Sequence, residues 1–411
     1  MPDDAIAIVG AGECGARAAG ALREEGFAGP VTLIGAEPHA PYERPPLSKA
    51  TLTDDGAPSP RTIVSDGKLA ELGIRFLRGV HATKIDRAEH RVALSNGDRL
   101  AYNRLLLATG ARPRRLPIPG ADGPNCVYLR THDDAMRIRN AIGPGCRVAI
   151  IGGGFIGLEV AASACQRGAD VTLIEALPRL LARCVPDEIA AVVHDKHVEN
   201  GVKIRCGETL VGIEHDTGET VLCCRGAAVA ADLVLIGIGV MPEIGLAAEA
   251  GLHCENGIAV NDRLQTSDPD IFAAGDCCSF PLGIYGGRRV RLESWRSAQD
   301  QGTLAARNML GRDAPLTAVP WFWSDQYDLT LQIAGLADEG RATIRRDLGG
   351  GAFLLFHLAG DGRLVAASGI GEGNAVARDI RLAEMLIARG ARPVASDLAS
   401  PDVRLKTLLA G

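Results

Sequence analysis

The chain writes one short phrase twice, and that repetition limits what it can fold into. Residues 5–10 (AIAIVG) are an apolar run of strand length that enters Gly10-Ala11-Gly12-Glu13-Cys14-Gly15. A helix is predicted over about 14–25, and PVTLIG (30–35) supplies the next strand. At an offset of 142 residues, counted from Gly10 to Gly152, the phrase returns. RVAIIG (147–152) leads into Gly152-Gly153-Gly154-Phe155-Ile156-Gly157, a helix is predicted to about 167, and DVTLIE (170–175) follows. Two copies of a strand–turn–helix–strand unit predict two nucleotide sites rather than a solenoid.

The spacing has a mechanical reading. The first glycine makes the tight turn, and the second lets a pyrophosphate approach the backbone. The third allows helix and strand to pack closely, while the helix N-terminus faces the negative charge. A carboxylate after the second strand then receives ribose hydroxyls. Glu37 stands 22 residues beyond Gly15, and Glu175 stands 18 beyond Gly157. At the second site a carboxylate accepts from a 2′-hydroxyl and repels a 2′-phosphate, which favours NADH over NADPH. Arg179 and Arg183 lie near enough in sequence to work against that preference.

Three further signatures order the chain. Ala108-Thr109-Gly110 ends an apolar strand before a Pro/Gly-rich hinge, and Gly237-Ile238-Gly239 ends a matching run at 231–243 (ADLVLIGIGVMPE). DIFAAGD (270–276) closes with Gly275-Asp276, read as a carboxylate at a helix start that can bond a ribityl hydroxyl. From about Val319 aromatic residues cluster, and strands are predicted at 341–346, 352–358 and 363–370 before a terminal helix. The expected architecture is α/β: two Rossmann-like dinucleotide-binding domains, one inserted in the other, and a C-terminal α+β domain. The FAD-binding domain takes 1–114 and 242–320, the NAD-binding domain 115–241 and the last domain 321–411.

Bulk properties narrow the function. A net charge of −6 argues against nucleic acid as the partner of the whole molecule. The start, Met1-Pro2-Asp3-Asp4, shows no leader pattern, and no apolar run reaches the roughly 18–20 residues that span a bilayer. A cytoplasmic protein is expected, with no membrane association. Eleven cysteines lack metal-ligand spacing, so no metal site is expected and they read as reduced packing residues.

The order of first glycine loop, ATG, second glycine loop and GD resembles the two-dinucleotide pyridine nucleotide-disulfide oxidoreductase superfamily over nearly the whole chain. Members with redox thiols carry them early in the first domain or, as a cysteine pair, within the second; this chain has no cysteine between Cys14 and Cys126 and no Cys-x-x-Cys. Where the first-domain thiol would sit stands PYERPPLSK (41–49). With Leu292-Glu293-Ser294-Trp295 and Trp321-Phe322-Trp323-Ser324-Asp325-Gln326-Tyr327, that segment resembles the NADH-dependent ferredoxin reductases of bacterial Rieske oxygenases and haem monooxygenases.

The resemblance implies FAD and NADH as cofactors and a [2Fe–2S] ferredoxin as partner, serving a terminal oxygenase from a monomer or weak dimer. It implies a catalytic pair, Lys49 with Glu159, at the reactive edge of the flavin, and Glu293 near the nicotinamide carboxamide. Arg44 and Arg130 are implied at FAD phosphate or ribose, Asp276 at the ribityl chain, and Trp295 and Trp323 at the flavin. On residues alone, Arg44 reads equally well as a loop residue, and Trp321 with Trp323 as one face of a half-buried strand. Arg288, Arg289 and Arg291 are a candidate docking cluster in a predicted loop. An NADH oxidase, a rubredoxin reductase and a redox-sensing protein like apoptosis-inducing factor are the alternatives.

Overall fold

The computed structural model describes residues 4–56, 58–216 and 219–409. Met1–Asp3 and the last two residues of the expected 321–411 domain therefore lie outside the described residues. Backbone contacts divide the chain into two compact units. The first holds residues up to 43, 60–112 and 242–322; the second holds 44–59, 113–241 and 323 onward.

The first unit is built on five parallel strands in the order Ile271–Ala273, Arg104–Leu107, Ile6–Val9, Val31–Gly35, Ile74–Arg78. Central strands such as IAIV and RLLL are continuous apolar runs because both faces of a parallel sheet are covered. Ile8, Leu33 and Leu105–Leu107 have no exposed surface. The helix Glu13–Glu24 presents small residues to the core, and the helix Trp295–Met309 packs against it. A Cβ on Gly302 would stand 2.4 Å from the Cys14 carbonyl oxygen, so only glycine permits that approach.

The second unit repeats the plan with parallel strands in the order Lys203–Cys206, Asp170–Glu175, Arg147–Ile151, Leu233–Ile236, Cys126–Val127. The apolar run at 231–241 contributes the buried strand Leu233–Ile236. A five-stranded sheet completes the unit, ordered Trp321–Gln326, Leu329–Gly335, Leu364–Glu372, Ala352–Leu358, Ala342–Gly349, with the helix Ala377–Ala388 packed on it. Residues 44–59 also belong here, as a 3-10 turn, Pro45–Ser48, and one helical turn, Ala50–Thr53. Among the described residues, no helix is long and apolar enough to cross a membrane.

Two local expectations are corrected. No helix starts at Asp276: Gly275, at φ +81°, turns the chain directly into the strand Cys278–Leu282. A glycine before an acid resembles a helix start, but the apolar alternation after it builds sheet. Nor is the arginine cluster a free loop. Arg288–Val290 is a strand antiparallel to Cys278–Leu282, and Arg289 donates to the carbonyls of Val260 and Ser279. The Arg291 side chain is 12% exposed and pairs with Glu293 at 2.6 Å.

Candidate functional site

In the first unit, three glycines shape a cradle. Gly10 sits at φ +112°, and a Cβ there would stand 2.1 Å from the Ala108 carbonyl oxygen. A Cβ on Gly15 would stand 1.9 Å from the carbonyl oxygen of Gly10. Around Gly12 a Cβ would meet nothing within 4 Å, so the cradle is open on that side. Gly12 is also the N-cap of Glu13–Glu24 and brings no side chain to its N–H groups. An open backbone surface with unclaimed donors at a helix N-terminus suits a pyrophosphate. The Glu13 carboxylate in the first turn is held by Gln299 (2.7 Å) and Arg17 (3.2 Å).

Around that cradle, Glu37 is half-buried and accepts the Tyr42 hydroxyl at 2.5 Å. Thr109 donates its hydroxyl to the Glu243 carbonyl (2.7 Å), and Gly110 turns the chain at φ +72°. The Gly275 N–H donates to Gln301 Oε1 (2.7 Å), which fixes the turn carrying half-buried Asp276. Ser294 is the N-cap of Trp295–Met309 but sends its hydroxyl to the Trp321 carbonyl (2.7 Å), leaving a second helix N-terminus without a side-chain cap. Glu293 is exposed. Cys14, Cys277 and Cys278 are fully enclosed, and burial pushes each thiol up. None is the low-pKa thiolate that redox catalysis through sulfur requires.

The second unit builds its cradle by the same rules. Gly152 sits at φ +107° with a virtual Cβ 2.4 Å from the Gly237 carbonyl oxygen, and that of Gly157 falls 2.2 Å from the Gly152 carbonyl oxygen. Gly154 is open and is the uncapped start of Phe155–Gln166. Phe155 is half-buried and Ile156 is 46% exposed, an apolar edge beside the cradle. The Glu175 carboxylate receives the N–H of Gly153 (2.7 Å) on one oxygen and that of Leu177 (2.8 Å) on the other. It is thereby locked at the strand end with lone pairs to spare. Arg179 is committed elsewhere: it donates to the carbonyls of Leu180, Ala182 and Val185 and pairs with Asp187 at 2.7 Å. Arg183 is exposed. Ile238 packs partly buried against the core, and the Gly239 carbonyl receives the Arg114 N–H (2.9 Å).

Also in the second unit, Lys49 Nζ lies 2.8 Å from Glu159 Oε1. Glu159 is only 4% exposed and also accepts hydroxyls from Ser48 (2.5 Å) and Ser324 (2.6 Å). Three donors, one an ammonium, satisfy the carboxylate in this buried position. The segment bearing Lys49 is clamped in place. Buried Arg139 gathers the carbonyls of Thr51, Leu52, Asp54 and Gly56 at 2.6–3.2 Å, Arg167 takes the Leu52 carbonyl again, and Ser163 donates to the Ser48 carbonyl. A cation at the C-terminal end of the Ala50–Thr53 turn satisfies carbonyls that a short helix cannot. Arg44 donates to the carbonyl of Arg130, and the Arg130 N–H goes to Asp134 (3.1 Å). Trp323 is half-buried and donates to Asp325 (3.0 Å).

Sequence reasoning did not single out Ser48, Arg139, His197, Ser324 or Gln326. For two of them a signal existed. Trp321, Trp323 and Asp325 share one face of Trp321–Gln326, so Ser324 and Gln326 share the other, and the polar face is the buried one.

Comparison with known proteins adds findings of three kinds. The family model described as pyridine nucleotide-disulphide oxidoreductase matches residues 4–302, and one described as reductase C-terminal matches 321–409. The anthranilate 1,2-dioxygenase system ferredoxin–NAD(+) reductase component of Burkholderia cepacia is 44% identical over 414 residues, covering 100% of both chains. Among solved structures, a ferredoxin reductase from Rhodopseudomonas palustris superposes with a TM-score of 0.93 at 34% identity, over 98% of this chain and 99% of that one. The covalent putidaredoxin reductase–putidaredoxin complex gives 0.93 at 36% identity, over 100% and 99%.

Proposed function

Since the chain belongs to the pyridine nucleotide-disulphide oxidoreductase family, we propose that it is the ferredoxin reductase component of an oxygenase system, taking electrons from NADH through FAD. One observation carries the reading beyond the relatives. Two dinucleotide cradles occur in a chain where, among the described residues, the cysteines near the first one, Cys14, Cys277 and Cys278, are enclosed and held as thiols. With no thiol to receive electrons, they pass to an external acceptor. Bound FAD supplies the step the protein cannot, accepting a hydride and releasing two electrons singly, so one NADH serves two [2Fe–2S] ferredoxins and one proton is released.

The chain's own residues bind and orient. The first cradle, Gly10 to Gly15 with Ala108–Gly110, holds the FAD pyrophosphate; Glu37 takes its ribose and Asp276 its ribityl chain. Arg44 and Arg130 bring positive charge to the same cofactor, and Ser294, Trp295 and Trp323 line its flavin end. The second cradle, Gly152 to Gly157 with Gly237–Gly239, holds NADH. There Glu175 accepts ribose hydroxyls, while Phe155 and Ile156 offer an apolar surface. Arg179, tied to three carbonyls and Asp187, has most of its N–H donors committed away from a 2′-phosphate, which supports NADH over NADPH. Lys49, held by Glu159, would offer its ammonium to the flavin, and Glu293 would serve the nicotinamide carboxamide.

The test is NADH-driven reduction of a purified [2Fe–2S] ferredoxin under nitrogen. Two ferredoxins reduced per NADH support the reading. Rapid NADH consumption with oxygen alone and none with ferredoxin would replace it with an NADH oxidase. A rubredoxin reduced in place of the ferredoxin would instead change the partner.

A further inference from the structure

Behind the Lys49–Glu159 pair runs a line of polar side chains that the function above leaves unused. Ser324 donates its hydroxyl to Glu159 Oε1 at 2.6 Å. Gln326 Nε2 donates to Ser324 Oγ at 3.1 Å. His197 Nε2, on the helix Asp187–Glu199, meets Gln326 Oε1 at 2.8 Å, and the Tyr327 hydroxyl stands 3.4 Å from His197 Nδ1. The line is dry: His197 is 0% exposed, Ser324 1% and Gln326 5%.

The direction of these hydrogen bonds follows from one charge. A carboxylate paired with an ammonium at 2.8 Å is the strongest acceptor present, so the single proton of Ser324 points at Glu159. The Ser324 oxygen can then only accept, so Gln326 must turn its amide nitrogen toward it. That turns the Gln326 carbonyl toward His197, whose Nε2 must therefore carry the hydrogen. From His197 to Ser324, every donor points toward Glu159. Burial holds the imidazole pKa below its ordinary value, in keeping with a single ring proton.

We propose that Ser324, Gln326 and His197 are positioning residues for the Glu159 carboxylate, and that its charge sets the Nε2–H tautomer of His197 through them. They restrain Glu159 through Oε1, while Ser48 holds Oε2, so that the carboxylate holds Lys49 in one place. A buried polar line pays for its desolvation only when every member is satisfied, which makes the geometry all-or-none. The effect on catalysis rests on the reading that Lys49 serves the flavin; the tautomer does not.

Two measurements test this on the FAD-loaded protein. Imidazole ¹⁵N spectra at pH 7, with His197 assigned by its loss in His197→Phe, should show the neutral Nε2–H form. Ser324→Ala should shift those signals by uncoupling the ring from Glu159. An Nδ1–H ring, an imidazolium, or spectra indifferent to Ser324→Ala would each overturn the proposal. In stopped-flow, His197→Phe and Gln326→Leu should slow NADH reduction of the flavin about five- to tenfold with little change in NADH affinity. His197→Gln, which keeps a donor for Gln326, should restore most of the rate. Equal losses in His197→Phe and His197→Gln would mark the site as packing alone. Lys49→Met separates the layers. If it leaves flavin reduction unchanged, the assignment of Lys49 fails; if it slows reduction while His197→Phe and Gln326→Leu do not, the positioning line fails.

Discussion

The two glycine cradles are copies in backbone and opposites in surroundings. Both close on a neighbouring strand through their first glycine, and both start a helix without a side-chain cap. Carried across the offset of 142, however, Glu13 and Cys14 correspond to Phe155 and Ile156, and Arg17 corresponds to Glu159. At that last position the first helix has a half-exposed arginine bonded to its own first turn. The second has a buried carboxylate bonded to Lys49, Ser48 and Ser324. Backbone geometry is thus the part common to any dinucleotide, and the side chains one helical turn away divide the labour. One cradle is sealed into its unit; the other is wired to a lysine.

The largest effects should come from the shared backbone. Gly10→Ala forces a Cβ against the Ala108 carbonyl at an unfavourable φ, and the purified protein should lose FAD or fail to fold, read by absorbance at the flavin band and by thermal melting. Gly152→Ala imposes the equivalent clash on Gly237, and should abolish NADH binding while the protein stays yellow. Retention of FAD by both, or its loss from both, would break the division between the cradles.

Next comes the charge found only in the second helix. Glu159→Leu strands a half-buried ammonium and two buried hydroxyls, and urea unfolding should register a loss of about 3–5 kcal/mol. Arg17→Leu, at the matching position, should cost within about 1 kcal/mol.

The two units should also differ in their response to pH. Burial holds His357, in the second unit, down to about 4. Above pH 6.5 the ring is neutral folded or unfolded and stability is unaffected. As pH falls from 6.5 toward 4, only the unfolded chain gains the proton, so stability falls, by up to about 3 kcal/mol. His357→Gln should flatten that acid limb. In the first unit, burial raises the thiols of Cys14 and Cys278, so stability holds below their ordinary value of 9.0 and is lost above it, as the unfolded chain ionises first. Burial also raises the thiols of Cys126 and Cys165 in the second unit, so hydrogen exchange should show acid at pH 5 weakening the second unit and alkali at pH 10 weakening both.

Smaller again is nucleotide choice. Glu175→Ala with Ala176→Arg should raise NADPH use relative to NADH by about tenfold to a hundredfold, measured as the ratio of kcat/KM values. The smallest effect expected is at the surface. Arg288→Ala should lower ferredoxin reduction modestly at low salt and not at high salt, with ferricyanide reduction unchanged.

Much of this was legible in the sequence because a glycine turn is a local object: the strand before it, the helix after it and the acid beyond the next strand all lie between residues 5 and 37 in the first copy and 147 and 175 in the second. Where reading depended on distant partners it thinned. Lys49 and Glu159 stand 110 residues apart and were linked only through the family resemblance. His197, Gln326 and Ser324 come from a helix and a strand separated by more than 120 residues, and nothing in a soluble-looking helix marks one histidine as wholly enclosed. Asp276 was read at a helix start, where the chain instead enters the strand Cys278–Leu282. Arg291 looked like surface charge because a neighbouring carboxylate two residues on, Glu293, claims it only once the chain is folded.

The most direct test of the account is anaerobic stopped-flow in two mixes. The yellow protein meets NADH or NADPH, and the bleached product then meets a [2Fe–2S] ferredoxin. Rapid bleaching by NADH, slow bleaching by NADPH, and reoxidation of the flavin by two ferredoxins in succession are the expected result. Bleaching that proceeds equally with both nucleotides, or a bleached protein that holds its electrons in the presence of ferredoxin, would contradict it.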